Sequence, residues 1–291
     1  MKHKIFLTFV MFFFAIGISY AQDDLLNQLD SGQPKEKQIT PYAFKALQIC
    51  NMQSTKLPVK GEWYILISHR FGNLANGTEN FFGLDQAYTK IGAIFGVANW
   101  LSLGASRHTH GKIYEFAAKY KMANQEDNGF PVTIVGYNTM DINSELKKDA
   151  TLPGLKFNHR LAYTTQLLIS RKFNDNFSLE TAPIYVHKNL YDGILDQKDL
   201  LLLGAGARYK LSKRLSLNLE YAARLNLPED SNSIYHNPLS IGLDIETGGH
   251  VFQLVFSNGQ TMNDVSMFSN SSGRWDGKQE LYFGFNMYRV F

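Results

Sequence analysis

Cysteine is almost missing from this chain: Cys50 is the single one among 291 residues. One thiol cannot build a disulfide framework, and none stands at the end of the leader, which argues against a lipid-anchored lipoprotein as well. An excess of charge of either sign is also lacking. The leader carries off two lysines, leaving 27 basic side chains against 26 acidic ones. No such balance points to nucleic acid or to an anionic surface, so no nucleic-acid partner is expected. Long hydrophobic runs are scarce after the leader. The longest weakly polar stretch, Ile91 to Ala105, contains Asn99, Ser102 and three glycines, and it falls short of the roughly 20 apolar residues a spanning helix needs. A helical membrane protein is thereby excluded. No phosphate-binding glycine loop, zinc finger or heptad run is present, and no cofactor is expected.

What is present begins with an export signal. Met1-Lys2-His3-Lys4 is basic, Ile5 to Ile18 apolar, and Ser19-Tyr20-Ala21 offers small residues at the outer and inner positions of a cleavage site. This pattern predicts a signal peptide over residues 1–21 and a mature chain starting at Gln22. An uncleaved anchor is the alternative, but the segment is short for one.

Period-2 segments then recur along the chain, each near the 9 to 11 residues of a tilted membrane strand. About twelve are predicted: Glu62 to Phe71, Tyr88 to Val97, Leu101 to Ser106, Lys112 to Met122, Pro131 to Asn143, Phe157 to Phe173, Phe177 to Asn189, Leu200 to Leu211, Leu215 to Leu225, Leu239 to Thr247, His250 to Asn258 and Gln279 to Phe291. Connections such as Ala98-Asn99-Trp100, Asn174-Asp175-Asn176 and Gly248-Gly249 are short. Those on the other side, such as Gly72 to Ala87 and Gly259 to Lys278, are mostly long and polar. Sorting of loops by length is the habit of an outer-membrane barrel, turns in the periplasm and loops outside, with both termini then periplasmic. A soluble β-sandwich alternates too, but its loops would not sort into two sides. The expected fold is all-β: a transmembrane antiparallel β-barrel over residues 62–291. Outer-membrane lipid would surround it, and backbone amides in hydrocarbon demand that the sheet close on itself.

Alternation also assigns faces. Leu201, Leu203, Ala205, Ala207 and Tyr209 on the lipid side send Gly204, Gly206, Arg208 and Lys210 inward; Leu215, Leu217 and Leu219 do the same for Asn218 and Glu220. A charge on the lipid-facing midplane costs roughly 2 to 4 kcal/mol, and a slip of one residue exposes every charge in a strand, so the charges fix the register. Trp63, Trp100, Tyr120, Phe130, Phe173, Phe177, Tyr209 and Phe291 sit near the short turns and read as an interfacial aromatic girdle. The closing strand ends on Phe291, the element by which barrel-assembly machinery would take up the chain. Residues 22–61 do not follow the strand pattern and read as a segment that either plugs the lumen or lies beneath the barrel.

Ile67-Ser68-His69-Arg70-Phe71-Gly72, Phe81-Phe82-Gly83-Leu84-Asp85, Lys90-Ile91-Gly92, Tyr114 to Lys121, His250 to Leu254 and the closing Phe283-Gly284-Phe285-Asn286 with Arg289-Val290-Phe291 together resemble a family of outer-membrane β-barrel proteins common in Bacteroidota whose domain has no assigned function. The resemblance spans roughly Phe44 to Phe291 and implies an outer-membrane barrel with no established substrate. One departure stands at Arg107-His108-Thr109-His110, where the family tends to carry small hydroxyl residues.

The candidate lumen-lining residues are Arg70, Lys90, Glu115, Lys119, Arg160, Glu180, Arg208, Glu220, Arg224, Asp244 and Glu280, with Lys121, Lys172, Lys210 and Glu246 on the same face. They line a polar passage for a small solute, or they form a self-neutralising network that fills the interior. Eight strands are filled by side chains and sixteen leave a channel, so twelve predicts a narrow or plugged lumen. The function expected is a narrow channel or small-solute uptake component; a closed barrel serving as scaffold or surface binder is the alternative, and an outer-membrane hydrolase stands third. Ser68 and His69 are strand neighbours and point to opposite faces. Ser106 and His108 share a face, but one directed into the lumen rather than to lipid. His108 and His110 flank what reads as a loop tip and invite a metal reading, with no third ligand near in sequence. No catalytic or metal residue is therefore assigned.

Overall fold

The structure is a computed structural model describing residues 38–193, 196–226, 234–247, 250–275 and 280–291. The predicted signal peptide and the polar stretch after it, the predicted Gly248-Gly249 turn and Gln279 lie outside these residues. Twelve strands are found among the described residues: β1 (Trp63–Asn73), β2 (Ala87–Ala98), β3 (Leu101–His108), β4 (Ile113–Ala123), β5 (Thr133–Asn143), β6 (Leu161–Lys172), β7 (Phe177–Lys188), β8 (Asp199–Lys210), β9 (Leu215–Arg224), β10 (Leu239–Thr247), β11 (His250–Ser257) and β12 (Tyr282–Val290). Each pairs antiparallel with its neighbours in sequence, and β1 pairs with β12 to close the ring. No strand edge is left open, which is the condition for a sheet in hydrocarbon.

The period-2 pattern produces the facing. Along β9 the even-numbered residues Ser216, Asn218, Glu220 and Ala222 are buried while Leu217, Leu219 and Tyr221 are exposed. In β8 the same parity buries Leu202, Gly204, Gly206 and Arg208 and leaves Leu201 and Tyr209 exposed. Apolar side chains thus cover the outer wall, and Trp63, Trp100 and Phe291 are exposed at the rim that carries the short turns.

Most strand ends fall within one or two residues of the sequence expectation, and three shifts bear on candidate residues. β6 begins at Leu161, because Phe157–Arg160 coil into a 3-10 turn whose start is tied by His159. β12 begins at Tyr282, which leaves Glu280 ahead of the wall. β3 runs on to His108, so that residue belongs to the sheet and not to the loop after it.

The interior is filled by two pieces that are not strands. Residues 43–57 thread the lumen, with Phe44, Leu47, Ile49, Met52 and Leu57 each at most 2% exposed. Between β11 and β12 a short helix, α1 (Asp264–Asn270), folds inward and buries Val265, Met267 and Phe268. Met52 and Leu57 meet α1 in one apolar cluster with Val135, Leu168, Ile184 and Leu202 of the wall.

Candidate functional site

The site is the plugged lumen, and glycines make the room for it. A methyl group at Gly206 would stand 2.2 Å from Ile49 Cδ1, and one at Gly242 would stand 2.6 Å from Cys50 Sγ. Larger residues at these inward positions would push the filler off the wall.

The filler turns sharply at residues 48–53, where the backbone N–H of Ile49 donates to Met52 O at 2.8 Å. This turn presents three successive amides to one carboxylate: the N–H groups of Cys50, Asn51 and Met52 each donate to Glu220 at 2.9 Å. Successive amides of a turn form an anion-binding concavity, and here the anion belongs to the barrel's own wall. Glu180 accepts from Thr55 N–H at 3.0 Å. The ammonium of Lys119 donates to Leu47 O and Ser54 O at 3.1 Å each and to Lys56 O at 3.4 Å. Arg70, 1% exposed, donates to Asn51 Oδ1 at 2.7 Å and to Asn286 Oδ1 at 3.0 Å. Glu220, Glu180 and Lys119 therefore hold the filler's backbone, and Arg70 the Asn51 side chain, by charge-assisted hydrogen bonds, each about 1.5–3 kcal/mol.

The other candidate lumen residues serve elsewhere. Asp244 accepts from Asn218 Nδ2 at 2.6 Å and Gln253 Nε2 at 2.8 Å. Arg208 donates to Ser216 Oγ at 2.6 Å and pairs with Glu246 at 3.0 Å. Arg224 reaches the end of α1, donating to Phe268 O at 3.0 Å and Ser269 O at 2.9 Å. Lys90 and Glu115 form a buried pair at 2.8 Å. Arg160 and Glu280 do not line the wall: Arg160 sits half-buried in the 3-10 turn, donating to Asn143 O at 3.0 Å, and Glu280 accepts from Ser272 Oγ before β12 starts.

Three neutral amides also hold the filler; the sequence pattern places Asn218 inward, whereas Gln253 and Asn286 are not among its candidates, which are charged. Gln253 Nε2 donates to Ile49 O at 2.9 Å, Asn286 Nδ2 to Cys50 O at 2.7 Å, and Asn218 Nδ2 to Ile49 O at 3.2 Å. Their signal was parity: each stands at an inward position of its strand, where an amide without a partner would be costly.

Between filler and wall remains a cavity of about 40 Å³, bounded by Leu47, Gln48 and Gln53 on one side and Lys90, Glu115, Lys119 and Tyr137 on the other. At 10–15 Å³ each it holds a few water molecules and no solute. At the short-turn rim a wider mouth of about 410 Å³ opens between Tyr42, Trp100, Lys121 and Met122.

The filler's own ionisable groups are shifted by confinement. Burial first, then the carboxylates of Glu220 and Asp244, hold the Cys50 thiol well above the ordinary cysteine range. Burial and then Lys45 draw the Lys56 ammonium below its usual value. Cys50 is thus an unreactive thiol for as long as the segment stays in place.

Ser106 and His108 do meet, Oγ to Nε2 at 3.1 Å, inside the barrel. The same Nε2 is 3.6 Å from Glu115 Oε2, and Glu115 is already paired with Lys90. A proton relay needs the carboxylate on the opposite ring nitrogen, so this arrangement is not that of a triad. His108 is buried on the interior face while His110 is exposed beside the Tyr88 ring, 4.6 Å between centroids. The loop-tip pair of histidines expected from sequence does not form, because His108 continues the strand.

A family model described as Membrane bound beta barrel domain (DUF5777) matches residues 44–291. No curated protein matches the chain at a significant level. Among solved structures the chain is similar to the KdgM porin, at 11% identity and TM-score 0.49 over 78% of this chain and 99% of that one. It is also similar to an outer membrane channel from Pseudomonas putida F1, at 11% identity and TM-score 0.48 over 81% of this chain and 97% of that one. A third is outer membrane phospholipase A from Escherichia coli, at 13% identity and TM-score 0.42 over 81% and 94%.

Proposed function

The chain belongs to the membrane-bound β-barrel family, and from that premise we propose that it is an outer-membrane channel for small solutes, held shut by its own residues 43–57. The observation that supports this reading is the mode of attachment. A ring of twelve strands is wider than the eight whose own side chains fill the bore. Here the remaining space is taken by a segment outside the hydrogen-bonded ladder, gripped through its backbone by Glu220, Glu180 and Lys119 and at the Asn51 side chain by Arg70. These contacts break and re-form without disturbing any strand pair. The residues that grip the segment are then the residues that face a solute once it leaves.

The same reading includes cleavage after Ala21, both termini in the periplasm, outer-membrane lipid around the apolar wall, and delivery by assembly machinery through the strand ending at Phe291, in a Bacteroidota setting. It includes no catalytic step and no cofactor.

Planar-bilayer recording tests it. Full-length protein should show small or infrequent conductance steps, and Glu220→Gln should make openings more frequent. Silence from both, with the protein shown to be folded by heat-modifiable migration, would overturn the channel reading. A surface-binding barrel is the second reading, favoured by one observation: Phe81 and Phe82, at φ 47 and 54, hold exposed rings on the long-loop rim in a backbone conformation that bulky residues rarely adopt.

A further inference from the structure

Unpartnered buried polar atoms in this barrel are sorted by kind. Orphan donors, the Nε atoms of Arg70, Arg171 and Arg208, are scattered around the wall. Of the nine orphan oxygens among the described residues, five gather between β5, β6 and α1, namely Asp141 Oδ1, Thr139 Oγ1, Thr164 Oγ1, Gln166 Oε1 and Asp264 Oδ1, while those of Glu115, Glu180, Asn218 and Thr261 lie on other parts of the chain. All five residues are buried to at least nine-tenths.

These oxygens lie on a closed circuit. Asp141 and Thr139 are two apart on the inner face of β5; Thr139 stands opposite Thr164 in the register; Thr164 and Gln166 are two apart on β6. Gln166 Nε2 donates to Asp264 Oδ2 at 2.5 Å, and Asn263, the residue before it, donates from Nδ2 to Asp141 Oδ2 at 2.7 Å. Each carboxylate spends one oxygen on an amide that fixes its orientation and keeps the other unpaired. Because Gln166 donates with its nitrogen, its carbonyl oxygen is the atom left over.

Charge points the same way. Glu115, opposite Asp141 in the register, is balanced by Lys90 at 2.8 Å. Lys119 spends its ammonium on three carbonyls of residues 47–56. Neither Asp141 nor Asp264 has an ion-pair partner among the described residues, and Lys90 and Lys119 act on Asp264 only from beyond ion-pair distance. An isolated buried carboxylate is too costly to persist without a counter-charge or a proton.

We propose that this circuit is a calcium site, with Asp141 and Asp264 supplying the charge and Gln166, Thr139 and Thr164 the neutral oxygens. The donor set is oxygen only, which suits a hard cation and excludes the nitrogen and sulfur preference of zinc. Two carboxylates match a divalent ion. A mixture of carboxylate, amide and hydroxyl oxygens from three elements suits the loose geometry of Ca²⁺ better than the strict octahedron of Mg²⁺. The ion would clamp α1 to β5 and β6 and so fix the loop between β11 and β12. The site does not rest on the channel reading, and a closed scaffold would hold it equally well.

Full-length protein, refolded in detergent free of lipopolysaccharide and stripped with chelator, is titrated with Ca²⁺ by calorimetry. One equivalent should bind. Asp141→Asn and Asp264→Asn should each weaken binding at least tenfold, Gln166→Met less, and Asp149→Asn, an exposed loop residue, not at all. Absence of binding to the folded wild-type protein, or equal affinity in the folded Asp141 and Asp264 variants, would overturn the proposal. Should those variants fail to fold, Gln166→Met carries the comparison, and unchanged affinity there counts against the site. Burial and the Glu115 carboxylate raise the Asp264 carboxyl above its ordinary value, so protonation is the rival. An infrared carboxyl band in wild-type protein that Asp264→Asn removes, persisting in saturating Ca²⁺, would also overturn it.

Discussion

The two fillers of the lumen differ in how they are held. α1 is a loop excursion tied to β11 on one side and, through residues outside the description, to β12 on the other; it places Phe268 and Met267 into the apolar cluster of β5 to β9. Residues 43–57 run into β1 at one end and are gripped through their backbone by side chains of β4, β7, β9, β11 and β12, and at the Asn51 side chain by Arg70 of β1. A helix built into the core leaves only when neighbouring packing is lost, whereas a strap held by polar anchors is released by altering a few of them. On the proposed channel reading the second filler is the gate and the first is part of the frame.

The contrast is sharpest at Phe268, which is fully buried. Phe268→Ala should cost about 3–5 kcal/mol of barrel stability, measured as a lowered denaturant midpoint in detergent, while Cys50 stays protected; an unchanged midpoint would place α1 outside the frame. Next comes Gly96→Ala. Its new methyl would stand 2.0 Å from Val59 O, a backbone atom that cannot swing aside. About 1–3 kcal/mol of strain is expected, relieved by displacing the strap where it leaves the lumen, and seen as increased conductance with an intact fold. The smallest effect is expected for Glu220→Gln, which keeps the shape and removes the charge that collects three amides. Maleimide labelling of Cys50, the one thiol in the chain, should accelerate at least tenfold, consistent with about 1.5–3 kcal/mol; an unchanged rate would show that Glu220 does not secure the strap.

Strands and faces were legible in the sequence because the pleat repeats every two residues and charge cannot face hydrocarbon. Leu217 and Leu219 look outward, Asn218 and Glu220 inward, as that rule requires. The site was legible only in part. Glu220 and Lys119 could be sent inward by parity, but their partners at residues 47–56 lie more than sixty positions away and no local period announces them. α1 was read as loop, since seven residues carrying two serines and an asparagine form a helix only when tertiary burial holds them. His108 was assigned to a loop tip because the apolar series ends at Ala105; the hydrogen-bonded ladder carries on for three more residues without it. Gly206 and Gly242 could be placed inward, but the need for glycine there comes from Ile49 and Cys50, not from anything beside them in the chain.

Closure joins the first strand to the last: Trp63 and Phe291 exchange both backbone hydrogen bonds, at 3.1 and 2.9 Å. Pairing of Trp63 with Phe95 of β2 need not wait for this closure, whereas its pairing with Phe291 must wait until Phe291 is in place. Such a maximal sequence separation predicts slow maturation. Until that seam forms, the facing edges of β1 and β12 stay unpaired and open to foreign strands.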